Sequence, residues 1–195
     1  KGTSDFGKEL DSLTDFVSFG IAPAFIIYFW ELNNYGKIGW AITLIYSVCC
    51  VLRLARFNLT KYEETQSWKQ NYFEGIPSPI GAILILTPLI YSLTDINFFS
   101  NFNNITPYLT VLVSILLISK IPTFSFKKVK IRPKLTIFIL FGIGVCLVFL
   151  IFFTFKALLL FSIGYFLSIP FSAYFYFKNK KVSEIPDDES HEDVL

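Results

Sequence analysis

The chain has 195 residues, of which 53% are hydrophobic and only 16% charged, with a formal net charge of +2 and a mean hydropathy of +0.55. A soluble domain carries about 25% charged residues, and Phe alone fills 23 positions here, which excludes a water-soluble globular fold. The apolar residues lie in long runs, and about 20 such residues span the hydrocarbon layer as a helix.

Six apolar segments follow in chain order: residues 10–30, 38–54, 76–93, 107–121, 135–153 and 157–177. The first carries charges in its opening turns. The third is entered through Pro77 and Pro79, where a missing backbone donor costs little. The second and fourth are short, which points to a thin membrane region or to polar residues dipping inward. Between the segments, Asn33 to Gly36 reads as a tight turn, residues 60–72 as an interfacial helix and residues 154–156 as another tight turn. The linker of residues 95–106 has no Lys or Arg, whereas residues 127–134 are strongly basic. The expected organisation is one transmembrane domain over residues 1–178 and a polar, disordered tail over residues 179–195. The fold class is all-α, a polytopic helical bundle of about six spans.

Charge fixes the orientation. With the start of the first segment in the cytoplasm, fifteen Lys and Arg residues fall on the cytoplasmic side and only Lys37 and Lys156 on the other. This positive-inside bias places both ends of the chain in the cytoplasm. The basic clusters flank membrane segments and suit anionic headgroups; nothing in them points to nucleic acid. Cys49, Cys50 and Cys146 lie within apolar runs and read as small buried apolar residues rather than a disulfide framework. Gly142, Gly144 and Gly164 read as points of close helix approach. The chain opens at Lys1 without a Met or a signal-peptide pattern, and is expected to be a fragment.

Ionisable residues at a membrane helix are costly and mark function. Gly7, Asp11 and Asp15 are each four apart and share one helix face. Two carboxylates on that face repel unless a cation or proton sits between them, and oxygen ligands suit a hard divalent ion such as Mg²⁺ or Mn²⁺. Gly7 leaves room for a ligand to approach the backbone. The alternative is a set of interfacial charges favoured by the helix N-terminus. A second cluster, Arg53-Leu54-Ala55-Arg56-Phe57-Asn58, ends the second segment on the same membrane side. Its two guanidinium groups fit phosphate or carboxylate oxygens, or else serve as positive-inside anchors. A third, Tyr72-Phe73-Glu74-Gly75-Ile76-Pro77-Ser78-Pro79, enters the third segment from that side. Carboxylates, arginines and lipid depth together fit a phosphate-bearing lipid substrate.

The stretch Gly7-x3-Asp11-x3-Asp15 resembles the second half of the signature of the CDP-alcohol phosphatidyltransferases, Asp-x2-Asp-Gly-x2-Ala-Arg followed by Gly-x3-Asp-x3-Asp. With Phe16-Val17-Ser18-Phe19-Gly20-Ile21-Ala22-Pro23 and the second and third clusters, it is most similar to the bacterial and archaeal phosphatidylserine synthase branch, over about residues 1–82. The resemblance implies transfer of the phosphatidyl group from CDP-diacylglycerol to L-serine with release of CMP, at the cytoplasmic face of the cell membrane, by a homodimer. It implies Asp11 and Asp15 as ligands of Mg²⁺ or Mn²⁺, Asp15 also as general base, and Gly7 at the nucleotide phosphates. Arg53, Arg56, Asn58, Ser12 and Glu9 are substrate-binding candidates. The first half of the signature is not in the chain. The resemblance therefore implies roughly two missing helices, an intact protein of eight spans, and no activity of this chain alone. The alternatives are another CDP-alcohol phosphatidyltransferase, such as one making phosphatidylglycerophosphate, or a membrane transporter or scaffold. A transporter would place polar residues at mid-membrane in paired repeats, and neither is present in the sequence.

Overall fold

The computed structural model describes residues 5–60, 72–94, 105–119, 121–124 and 133–183. The expected interfacial helix of residues 60–72, the polar linker and the basic loop lie almost entirely outside these residues.

The first apolar segment folds as one long helix with a defect in its middle. Helix α1 (Asp5–Phe16) passes into a π-helical turn (Val17–Ile21) and continues as α2 (Ala22–Trp30). The defect has a covalent cause. Pro23 has no N–H, so the carbonyl of Phe19, four residues earlier, loses its ordinary helical partner, and the proline ring crowds it. The chain widens there, and the Ala22 N–H reaches back to Val17 O. After Glu31, a 3₁₀ turn (Leu32–Tyr35) leads into α3 (Gly36–Thr60). The expected tight turn is therefore present. The second segment is not short: α3 has 25 residues, because its helix carries on past the apolar run through Arg56 and Asn58.

The third segment is broken into α4 (Ser78–Ile85) and α5 (Thr87–Ser92). Pro79 and Pro88 each sit in a first helical turn, where the absent donor does least harm. Helix α6 (Thr106–Ile118) is the fourth segment. It packs chiefly on α3 along a seam of small side chains: Thr43, Thr106, Thr110 and Ser114 are all buried there. Thr43, Thr110 and Ser114 return their hydroxyls to the carbonyl four residues back, at 2.9, 2.8 and 2.7 Å. Small, internally satisfied side chains let helices approach closely in an apolar medium. Around this seam lies the core, with Ile27, Leu32, Tyr46, Cys50, Ile85, Val113 and Leu117.

One element departs from a purely helical reading. Strands β1 (Tyr72–Glu74) and β2 (Pro122–Phe124) pair antiparallel, Phe73 opposite Thr123. Next to them the Gly75 N–H bonds Ile121 O at 2.9 Å. Gly75 has φ +75°, and a Cβ there would meet Ser119 O at 2.8 Å; only glycine suits this crossing over the end of α6. Strands of three residues carry too little alternation to be read from sequence.

Helices α7 (Pro133–Phe152) and α8 (Thr154–Ser183) are separated by Phe153 alone. The turn expected at residues 154–156 is thus shorter and earlier, and Thr154 already begins α8. Helix α8 packs on α5, α4 and β2, burying Ser162, Ile169 and Ser172. The side chains of residues 137–156 are exposed. Nothing lies within 4 Å of a Cβ built on Gly142, Gly144 or Gly164, so the close helix approach expected at these glycines is not present. Their helix faces point outward, and no second backbone among the described residues uses the space. Cys49 and Cys50 are buried as expected, whereas Cys146 is exposed on α7, for the same reason.

Among the described residues, three helical stretches are long and apolar enough to cross a membrane: Glu9–Trp30, Leu32–Asn58 and Thr154–Ser172. Thr106–Ile118 and Ile137–Phe152 are shorter apolar helices. The architecture is an all-α bundle of apolar helices with one small ribbon at its edge.

Candidate active site

Helices α1 and α3 face each other as the two arms of a hairpin, and the polar residues of their outer ends meet. On α1, Asp11 is exposed and Asp15 half-buried, one turn apart. Gly7, a turn before Asp11, is half-buried, and Glu9 is exposed. On α3, Asn58 Nδ2 donates to Ser12 Oγ at 2.9 Å. Two separate sequence candidates are thus joined directly, fixing the end of α3 against the aspartate-bearing helix.

Arg53 lies one helical turn deeper. It is only 8% exposed, and its Nη1 donates to Ser78 Oγ at 2.9 Å. The guanidinium carbon stands 5.4 Å from the centroid of the Phe57 ring. Asp15 and Tyr165 are near enough to act electrostatically on the guanidinium, as is Cys50. Ser78 also reaches the Cys50 thiol. A buried cation requires such partners, because losing water costs several kcal/mol (about that order) unless charge and hydrogen bonds replace it.

Arg56 takes a different position. Its Nη1 donates to Ile118 O at 2.7 Å, at the end of α6, where the last carbonyls lack helical donors and a cation is favoured by the macrodipole. Three residues apart in sequence, the two arginines reach different neighbours: Arg53 turns toward Asp15 and α4, Arg56 toward the end of α6.

Sequence reasoning did not single out Cys50, Ser78 or Tyr165. Ser78 was visible inside the quoted third cluster, and Cys50 precedes Arg53 by three residues on one helix face. Tyr165 gave no signal, since it comes from α8 more than a hundred residues later.

The donor chemistry at Asp11 and Asp15 suits a hard divalent cation in kind: carboxylate oxygens on one face, open to solvent at Asp11. It supplies two protein carboxylates, the one or two that Mg²⁺ commonly takes alongside water and substrate oxygens. Among the described residues, no group of three or more His, Cys, Asp or Glu side chains could hold a metal ion, and six-coordinate Mg²⁺ keeps water or substrate oxygens in the rest of its shell.

At the opposite end of the hairpin sits a buried carboxylate. Glu31 is 7% exposed and accepts a hydrogen bond from Thr106 Oγ1 at the start of α6. Burial pushes its carboxyl above the usual carboxylate range; the Thr106 bond opposes this in smaller measure.

Fold and site together define a bundle of apolar helices of membrane-spanning kind, with two carboxylates one turn apart and a buried arginine within electrostatic reach of Asp15 at one end of a helix hairpin. The family profile for CDP-alcohol phosphatidyltransferase matches residues 1–117, and the chain belongs to that family. It is similar to CDP-diacylglycerol–serine O-phosphatidyltransferase of Mycobacterium leprae, 39% identical over 134 residues, covering 67% of this chain and 43% of the relative. The protein of that name from Helicobacter pylori is 39% identical over 140 residues, covering 71% of this chain and 56% of the relative. The one from Methanocaldococcus jannaschii is 35% identical over 147 residues, covering 74% and 59%. The chain spans about half the length of the curated relatives it matches.

Proposed function

We propose that the protein transfers the phosphatidyl group of CDP-diacylglycerol to the hydroxyl of L-serine. The serine oxygen forms a bond to the phosphorus that carries diacylglycerol, the bond from that phosphorus to the CMP oxygen breaks, and CMP leaves. Asp15 takes the proton of the serine hydroxyl. An alcohol is a weak nucleophile, and a carboxylate within reach supplies the missing basicity. Asp11 and Asp15 would hold Mg²⁺ or Mn²⁺, which would supply positive charge against that developing on the diphosphate. Arg53 holds an anionic oxygen of the substrates, and the Asn58–Ser12 bond keeps α3 in place beside the aspartates. Gly7 gives the nucleotide phosphates access to the backbone.

The observation that carries this reading is the half-buried Asp15 lying within electrostatic reach of the buried Arg53, inside the stretch matched by the family profile. Serine as acceptor is supported by the names of the relatives. The same reading has six spans in this chain with both ends and the site in the cytoplasm, and a homodimer in the cell membrane. The full-length protein in detergent should release CMP from CDP-diacylglycerol when serine and Mn²⁺ or Mg²⁺ are present. Release with glycerol 3-phosphate but not with serine would move the acceptor to another member of the family. Release with neither would reject the transferase reading.

A further inference from the structure

The widened turn between α1 and α2 sits directly below Asp15, and it is held by a residue of the facing helix. Tyr46 is fully buried in α3, and its hydroxyl donates to Phe19 O at 2.9 Å. This carbonyl is the one that Pro23 deprives of a backbone donor. A carbonyl left without a donor inside a helix pair is costly, and Tyr46 supplies the missing donor from across the interface. The neighbouring packing is tight: a Cβ on Gly20 would lie 2.7 Å from Phe16 Cδ2 and 3.2 Å from Cys50 Sγ. A glycine at this point lets α3 approach the turn closely enough for the tyrosine to reach.

We propose that Tyr46 is a positioning residue for the metal-binding face: by satisfying Phe19 O it maintains the π-turn made by Pro23, and that turn sets the rotation at which α1 presents Asp11 and Asp15. The inference rests on the carboxylate–metal part of the function proposed above. A π-turn holds one residue more than an α-turn. At 3.6 residues per turn, closing it would swing the aspartate face by about 100° relative to α2. Asp15 is four residues before Phe19, so the swing begins one turn from the carboxylate. Such defects recur at functional sites.

The test separates rotation from stability. In the full-length protein in detergent, Mn²⁺ binding is measured by electron paramagnetic resonance, alongside apparent melting temperature and serine-dependent CMP release. Tyr46→Phe keeps the ring and removes the donor. Its Mn²⁺ Kd is expected to rise about tenfold, the scale seen when groups supporting metal ligands are lost, with a melting temperature a few degrees lower. Pro23→Ala gives Phe19 O back its N–H and allows the turn to close. Tyr46→Phe combined with Pro23→Ala should therefore recover the melting temperature but not the Mn²⁺ affinity. A purely structural tyrosine would instead give metal binding that follows stability in all three variants. Wild-type Mn²⁺ affinity in Tyr46→Phe, or recovery of both properties in the double variant, would overturn the proposal. If the natural protein binds Mn²⁺ and the variants behave as expected, yet serine never drives CMP release, the positioning role stands and the serine reading falls. Absence of Mn²⁺ binding in the natural protein would overturn the positioning role together with the metal reading.

Discussion

Replacing Arg53 by Met separates catalytic use from structural use of a buried charge. Three effects act on stability. The bond from Nη1 to Ser78 Oγ, at 2.9 Å, is one to a charged group and contributes about 1.5–3 kcal/mol. The Phe57 ring at 5.4 Å adds about 0.5–2 kcal/mol. Removing a guanidinium that is 8% exposed also removes its desolvation cost, which is several kcal/mol, on the order of the two gains combined. Met fills most of the volume of the Arg stem, so the net change in stability is expected to stay within about 2 kcal/mol in either direction. The effect on turnover has no such compensation. A buried charge that anchors an anion contributes about 2–5 kcal/mol when its partner is bound, which at about 1.4 kcal/mol per tenfold is a loss of roughly 30-fold or more. Arg53→Lys restores charge without the planar fork and should recover little. The assay is CMP release at saturating donor and varied serine, with apparent melting temperature measured on the same preparations. A stable Arg53→Met protein that keeps more than half of wild-type turnover would refute the reasoning and reduce Arg53 to a packing and topology residue.

Further outcomes follow from other contacts. Arg56→Ala should lower the melting temperature more than it lowers turnover, because Arg56 caps α6 through Ile118 O at 2.7 Å; a variant that is stable but inactive would move Arg56 into the substrate site. Asp11→Asn and Asp15→Asn should each weaken Mn²⁺ binding and reduce CMP release at least a hundredfold, measured by titration and turnover, while leaving membrane insertion intact. Glu31 has a carboxyl raised by burial, so the folded state holds its proton more tightly than the unfolded chain, and stability falls as pH rises from the ordinary carboxylate range through the raised folded value. Glu31→Gln should flatten that decline in a melting series from pH 4 to pH 8 (about that span suffices for a raised carboxylate); an unchanged slope would remove Glu31 from the account. Single-cysteine labelling should find Asn103 outside and Lys128 inside, and finding both on one side would sink the six-span arrangement.

The helices were legible because membrane burial leaves a simple mark: long apolar runs, closed by charge or by proline. The six expected segments each contain a described helix, broken at Leu86 in the third by Pro88 and widened in the first by Pro23. What was not legible has a common physical origin. The apolar runs record where lipid or core begins, so they stopped at Leu54 while the α3 backbone continued through Asn58. They also carry no information on which face of α7 meets another helix, and the glycines there were read as contacts that are absent among the described residues. The ribbon of Tyr72–Glu74 with Pro122–Phe124 depends on two segments separated by almost fifty residues. No local pattern announces such a pairing. At the site, spacing correctly grouped Asp11 with Asp15 on one face, but gave the two arginines equivalent standing. Their difference arises only when α4 brings Ser78 to Arg53 and α6 brings its last carbonyls to Arg56.

One register accounts for the whole sequence of contacts between the first two arms. Going outward along α3, Tyr46 meets Phe19, Cys50 meets Gly20, Arg53 comes near Asp15, and Asn58 meets Ser12. From the π-turn, where Phe19 and Gly20 lie side by side, outward to Asp15 and Ser12 on α1, the partners run in the reverse direction, as an antiparallel hairpin demands. Such a register is set at the turn between the helices, and there Glu31 and the 3₁₀ residues are anchored to the start of α6 by Thr106. The inner end of the hairpin is therefore fixed by a buried carboxylate, its middle by a tyrosine on a carbonyl freed by proline, and its outer end by an amide on a serine. Between these three points the protein can keep a buried arginine beside an aspartate without the pair collapsing into a closed ion bridge. Arg53 directs its Nη1 hydrogen bond to Ser78 instead, which leaves the Asp15 carboxylate available for a proton or a cation. That division of partners is what a site must have if the carboxylate is to act on one substrate while the cation holds another.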